Sequence, residues 1–135
     1  MNILLVEDDS RVVQFLERAL RAEGHGVQVA NTGQDGVQRA RDGAPDLVIL
    51  DLMLPGLDGR EVCQQIRASG SRVPILMLSA LDSTSDVVDG LSMGADDAML
   101  APVHLPELVA RIEGVHLGGV FPQSGGQFLR LRLAW

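Results

Sequence analysis

The chain has 135 residues, a net charge of -7 and a hydrophobic content of 46%, with only 3% aromatic residues and no tyrosine. This fits one domain with a sizeable aliphatic core, and the acidic balance argues against a nucleic-acid surface on its main body. Every basic side chain is arginine, and the single Cys63 excludes an intrachain disulfide and fits a reducing compartment.

In chain order, MNILLVEDD carries no basic leader and only a short apolar run, so it reads neither as a signal peptide nor as a membrane span. A soluble cytoplasmic protein is the expectation. Ile3 to Val6 reads as a strand, and Arg11 to Ala22 as a helix with Ser10 as N-cap. Val27 to Ala30 is a short strand, and Gly33 to Arg41 a second helix. Leu47 to Leu50 is a continuous apolar run, as in a strand buried on both faces. Asp58 caps a third helix over Arg60 to Ala68, and Ile75 to Leu78 is another buried strand. A weaker helix over Ser83 to Met93, a strand over Ala98 to Leu100 and a helix over Leu105 to Glu113 complete the pattern.

Five strand–helix alternations predict an α/β, doubly wound, five-stranded parallel sheet in the order 2-1-3-4-5, a flavodoxin-like topology. Such sheets bind ligands beyond the carboxyl ends of their strands, at the switch point between strands 1 and 3. Glu7, Asp8 and Asp9 follow strand 1, Asp51 ends strand 3, Ser79 follows strand 4, and Ala101-Pro102 follow strand 5. A single acid here reads as a helix cap or a solvated loop. The set does not, because two like charges about 4 Å apart repel by roughly 4 kcal/mol at an effective dielectric near 20. Carboxylates gathered with a backbone carbonyl form a hard oxygen site suited to Mg²⁺. In 51-DLMLPGLDG-59, Pro55-Gly56 marks a turn and Gly59 frees the backbone before the next helix.

These segments resemble the receiver domain of bacterial two-component response regulators, most closely the class fused to winged-helix transcription factors. VEDD, D-x-M-L-P-x-x-D-G, Ser-Ala and Gly-Ala-Asp-Asp occur in family order and spacing from Met1 to about Glu113. The resemblance implies that Asp51 is the phosphoacceptor for a sensor histidine kinase. It implies Asp8, Asp51 and the Met53 backbone carbonyl as Mg²⁺ ligands, Glu7 and Asp9 as members of the acidic pocket, and Ser79 as the switch hydroxyl. It also implies a homodimer through the face formed by helix 4, strand 5 and helix 5, and no membrane partner.

Around strand 5 the chain departs from the family. Aligned on Asp96-Asp97 and Pro102, Ala98 stands for the family's aromatic residue, Ala101 for its lysine and Val103 for its phenylalanine. Register cannot restore the lysine, because the chain has none. Arg11 reads as a solvated helix-face cation, with replacement of that lysine as the alternative. Two functions follow: a phosphorylated receiver signalling through protein contacts, or a phosphate-independent pseudo-receiver used as a binding module. A phosphatase or a nucleotide- or flavin-binding enzyme on the same sheet is disfavoured, because acids rather than a glycine-rich loop follow strand 1.

The receiver is expected over residues 1–116, with a linker and tail over 117–135. The alternation in Gln127 to Trp135 reads as a strand or as the opening of a further domain. The tail is too short for a complete winged-helix domain, and DNA contact is expected only if such an output domain exists.

Overall fold

The computed structural model describes residues 1–79, 91–100 and 103–116, with the backbone alone for Ser79, Leu100 and His116. Five parallel strands, β1 (Asn2–Val6), β2 (Gly26–Ala30), β3 (Leu47–Asp51), β4 (Ile75–Ser79) and β5 (Asp97–Leu100), lie in the order β2-β1-β3-β4-β5. The helices bounded within the described residues are α1 (Ser10–Ala22), α2 (Gly33–Asp42), α3 (Gly59–Ala68) and α4 (Leu105–His116). The expected α/β class and strand order are both present. The helix expected over 83–93 lies largely outside the described residues, as do Ala101, Pro102 and the tail over 117–135.

Side chains of a strand point alternately to its two faces, and that alternation divides the core. Leu4, Val6, Val48, Leu50, Ile75, Met77 and Ala98 pack with Val62, Cys63 and Ile66 of α3 and Ala40 of α2. Ile3, Leu5, Leu47, Ile49, Leu76, Leu78 and Met99 pack on the other face with Leu16 and Leu20 of α1 and Leu108, Ile112 and Val115 of α4. The apolar runs seen in the sequence are therefore strands covered on both faces. Each fully buried aliphatic side chain contributes about 1.5–3 kcal/mol relative to exposure. Cys63 belongs to the first cluster, and burial pushes its thiol up to about 11.

Three local readings are corrected. The cap of α1 is Asp9, not Ser10: Asp9 has extended backbone and its side chain accepts from the N–H groups of Arg11 and Val12. Next, α4 runs past Glu113 to His116, because Val115 fills a place in the second cluster. Finally, Gly59 is not needed for an unusual φ, since the positive-φ glycines among the described residues are Gly24, Gly56, Gly70 and Gly94. A side chain at Gly59 would instead press on backbone, 2.5 Å from the Asp51 carbonyl oxygen and 2.6 Å from Leu52 Cα. The Pro55-Gly56 turn is as expected, with Gly56 at φ 75°.

Two arginines tie the far side of the sheet together. Arg67 donates to the carbonyls of Gly94, Ser71 and Val73 at 2.9, 3.3 and 2.7 Å and to Asp96 Oδ2 at 2.9 Å. Asp96 Oδ2 also accepts from the Ile75 N–H at 2.8 Å. Arg111 Nη1 meets both carboxylate oxygens of Asp97 at 2.9 Å, and Asp97 is 0% exposed.

Candidate functional site

The parallel register brings the carboxyl ends of β1 and β3 side by side, with Val6 opposite Leu50. Glu7 and Asp8 therefore emerge beside Asp51. Glu7, Asp8 and Asp51 each offer a carboxylate oxygen within 4.8 Å of the others, the only such acidic or His/Cys cluster among the described residues. Glu7 is buried, Asp51 half-buried and Asp8 exposed. The arrangement is graded from core to solvent, with one end open to a ligand.

Hydrogen bonds from the backbone fix the shape of the pocket. Glu7 Oε2 accepts from the N–H groups of Asp8 and Asp9 at 3.0 and 3.1 Å, folding the turn after β1 around its own carboxylate. The Glu7 N–H reaches back to the Ala30 carbonyl at 3.0 Å. Asp51 Oδ1 accepts from the Met53 N–H at 3.0 Å, which pins the carboxylate's rotation. Met53 itself is 65% exposed beside the pocket.

The electrostatics match this packing. Burial, then hydrogen bonding to and charge repulsion from Asp51, push the Glu7 carboxyl up to about 8, against the opposing pull of the Asp9 N–H. Asp58, one residue before α3, behaves oppositely. Burial works against its charge, but the Glu61 N–H and the Arg60 guanidinium outweigh it and hold Asp58 below the usual range.

Not every expected residue joins the cluster. Asp9 spends its Oδ1 on capping α1 and is not one of the three clustered carboxylates. Arg11 is exposed, its Nε 3.8 Å from Asp9 Oδ1, an ion pair on the helix end. Ser79 ends β4, one residue beyond the Leu78 that pairs with Asp51; its hydroxyl lies outside the described residues. Ala98 is opposite Met77 and only 2% exposed, packed among aliphatic side chains. Ala101 lies outside the described residues, whereas Val103 packs against the second core cluster.

Reading the sequence missed the partners of Asp96 and Asp97, which served only to fix the alignment. A carboxylate at the start of an otherwise apolar strand was the available signal. The buried Asp97 needs a cation, which Arg111 supplies from two turns into α4, while Arg67 in the last turn of α3 pairs with the half-buried Asp96. A cavity of about 350 Å³ lined by Asn2, Arg21, Gly26, Gln28 and Pro45 opens at the amino ends of the strands, away from the carboxylates.

The donor set fits a hard divalent cation: three carboxylates converge, one of them exposed, and a cation would offset the repulsion from Asp51 that adds to burial in raising Glu7. Against known families, residues 3–113 match the response regulator receiver domain. The chain belongs to this family. Relatives of the receiver include response regulator MprA of Mycobacterium leprae, 45% identical over 115 residues, covering 85% of this chain and 50% of that protein. The transcriptional regulatory protein AfsQ1 of Streptomyces coelicolor is 46% identical over 114 residues, 84% of this chain and 50% of that protein. With MprA of Mycobacterium bovis the similarity runs over 134 residues at 39% identity, 99% of this chain and 58% of the relative. The receiver thus spans about half the length of these relatives. Its fold superposes on the Francisella response regulator 1452 receiver domain with a TM-score of 0.80 at 29% identity, over 87% of this chain and 97% of that one. This is a response regulator receiver of the two-component type. No helix among its described residues is long and apolar enough to cross a membrane.

Proposed function

We propose that the receiver accepts a phosphoryl group on Asp51 from the histidine of a sensor kinase. The observation that carries this reading is the convergence of Asp51 with Glu7 and Asp8 at the open carboxyl edge of the sheet. A carboxylate oxygen of Asp51 forms the new O–P bond as the P–N bond to the kinase imidazole breaks, and the departing nitrogen keeps that bond's electron pair. Little covalent help is needed for such a transfer; positioning and charge neutralisation dominate. The Met53 N–H holds Asp51 in place, and the turn wrapped on Glu7 holds Asp8 beside it. Asp8, Asp51 and the Met53 carbonyl would hold Mg²⁺, with Glu7 behind them. When bound, the ion supplies charge neutralisation for carboxylate and phosphoryl oxygens. Ser79 at the end of β4 is the hydroxyl that would meet the phosphoryl group.

A second reading, a pseudo-receiver that binds a partner independently of phosphate, is favoured by one feature. Ala98 offers no ring to rotate, and the chain has no lysine for the position of Ala101. A cytoplasmic setting, a kinase partner and a dimer through the face containing β5 and α4 accompany the first reading. Similarity that continues through residues 117–135 supports reading them as a lead toward the region that the longer relatives carry. Transcriptional output through DNA would belong to that region.

The test is incubation with a small phosphodonor and Mg²⁺, followed by intact mass. The wild type is expected to gain one phosphoryl group and Asp51→Asn none. Equal labelling of both proteins sinks the assignment, and no labelling of either favours the pseudo-receiver. Millimolar Mg²⁺ alone is expected to raise the melting temperature through binding to the folded state. An unchanged melting temperature counts against the metal site.

A further inference from the structure

The loop from Leu52 to Asp58 follows the acceptor strand, and Met53, which pins Asp51, belongs to it. Its anchorage is unusual in being backbone against backbone. At the near end, Gly59 lies on the Asp51 carbonyl oxygen and Leu52 Cα, and its N–H donates to the Leu52 carbonyl at 3.1 Å. At the far end the contact comes from another element altogether. Gly33, the first residue of α2, is buried against the Leu57 carbonyl oxygen, with Val62 Cγ2 2.8 Å and Leu57 Cβ 3.1 Å from where a side chain would begin. Its φ is not among the positive values, so glycine is needed there for space rather than for backbone freedom.

The first turn of α2 is itself held firmly. Thr32 caps it by accepting the Asp35 N–H at 3.1 Å on its hydroxyl and the Gly36 N–H at 3.0 Å on its carbonyl. One turn on, Gly36 leaves room for Val6, whose Cγ atoms stand 2.9 Å from where a side chain would begin. Val6 is the residue that precedes Glu7, and Glu7 bonds to Ala30 at the end of β2. So α2, which contributes no carboxylate, bears on both chain segments that bring the carboxylates together.

We infer that Gly33 is a positioning residue for the acidic pocket: its backbone contact with Leu57 holds the 52–58 loop so that Met53 stays on Asp51. The inference rests on the metal-assisted acceptor reading above. Backbone atoms in contact cannot rotate away as a side chain can, so a methyl group at position 33 must displace either the loop or the helix. Displacing the loop moves the Met53 N–H and carbonyl relative to Asp51. Displacing the helix disturbs Val6 and the turn that carries Glu7 and Asp8.

Mg²⁺ affinity by calorimetry, well below the melting temperature, tests this together with amide exchange at Met53. Gly33→Ala is expected to weaken Mg²⁺ binding about tenfold or more, a size seen for changes to residues supporting metal ligands, and to speed exchange at Met53. Val115→Ala, a core change on α4 in the cluster on the opposite face of the sheet, which contains no residue of the loop, should lower stability while leaving Mg²⁺ affinity within about twofold. Should Gly33→Ala fail to fold, Thr32→Ala loosens the same turn without crowding it and is expected to weaken Mg²⁺ binding and speed Met53 exchange in the same direction. If the wild type binds Mg²⁺ and the folded α2 variants bind it equally well with unchanged Met53 exchange, the role of Gly33 is overturned while the acceptor reading stands. If the wild type itself binds no Mg²⁺, both are overturned.

Discussion

Asp58 Oδ1 accepts from the N–H groups of Arg60 and Glu61 at 3.0 and 3.1 Å, while Oδ2 meets the Arg60 guanidinium at 3.2 Å. These partners favour the charged form and lower its pKa in the folded state. A group lowered by folding stabilises above its unfolded pKa, and the contribution fades as pH falls through the folded value. Asp58→Ala is therefore expected to cost about 1 kcal/mol at neutral pH, the usual value of a helix cap. Denaturant titrations of the two proteins should begin to converge as pH falls below about 4, the model-peptide value for Asp, and meet only below the lowered folded value; a gap that stays constant throughout the acid range would show that the cap's charge is irrelevant. At this scale the sequence was a good guide to residue type and a poor one to assignment. Asp9 and Ser10 are both competent caps, and only the extended backbone of Asp9 chooses between them. The same choice takes Asp9 out of the carboxylate cluster that Glu7, Asp8 and Asp51 form. Gly59 signalled a special backbone, but the demand is on volume, which depends on how the chain returns over Asp51.

Among the elements, the strands were the most legible, because four consecutive apolar residues covered on both faces leave few other readings. Ends of helices were less so. Glu113 closes the amphipathic pattern of α4, yet Val115 has a place among Leu108 and Ile112 and draws the helix on. Least legible was the ion pair that fastens α4 to β5, since its members are 14 residues apart and the Gly-Ala-Asp-Asp motif that holds Asp97 does not point to Arg111. Arg111 and Asp97 are both buried, at 7% and 0% exposure. Removing one member leaves the other as a buried charge, whereas removing both costs little. Arg111→Met is accordingly expected to destabilise by about 3–5 kcal/mol. The double change Arg111→Met with Asp97→Leu should recover most of that loss in chemical denaturation. Additive losses in the double variant would argue that the pair does not act as a unit.

For the whole molecule, the sequence made the sheet order and the identity of the acidic edge readable because parallel topology forces strand ends together. What it left open is how occupancy of that edge would be felt elsewhere. Ala98 sits in aliphatic packing with nothing ring-shaped to swing, so the route through β5 that the family resemblance implies lacks its moving part. Labelling of Asp51 by a phosphodonor is expected to be slow, or to produce little change in dimerisation by light scattering or sedimentation. Rapid labelling with strong dimerisation would refute this. The two arginine ties also bear on how the chain reaches its fold. Arg67 gathers groups from residues 71, 73, 94 and 96, so its full set of bonds requires β4 and β5 to be in place already. Closure of this kind is expected in the late part of assembly, after most of the barrier has been crossed. Loosening it should then show itself in time rather than in order of events: Arg67→Met is expected to steepen the escape from the native state in stopped-flow unfolding while leaving the refolding limb nearly untouched. In that sense the guanidinium works as a latch, setting how long the finished sheet lasts more than how quickly it forms.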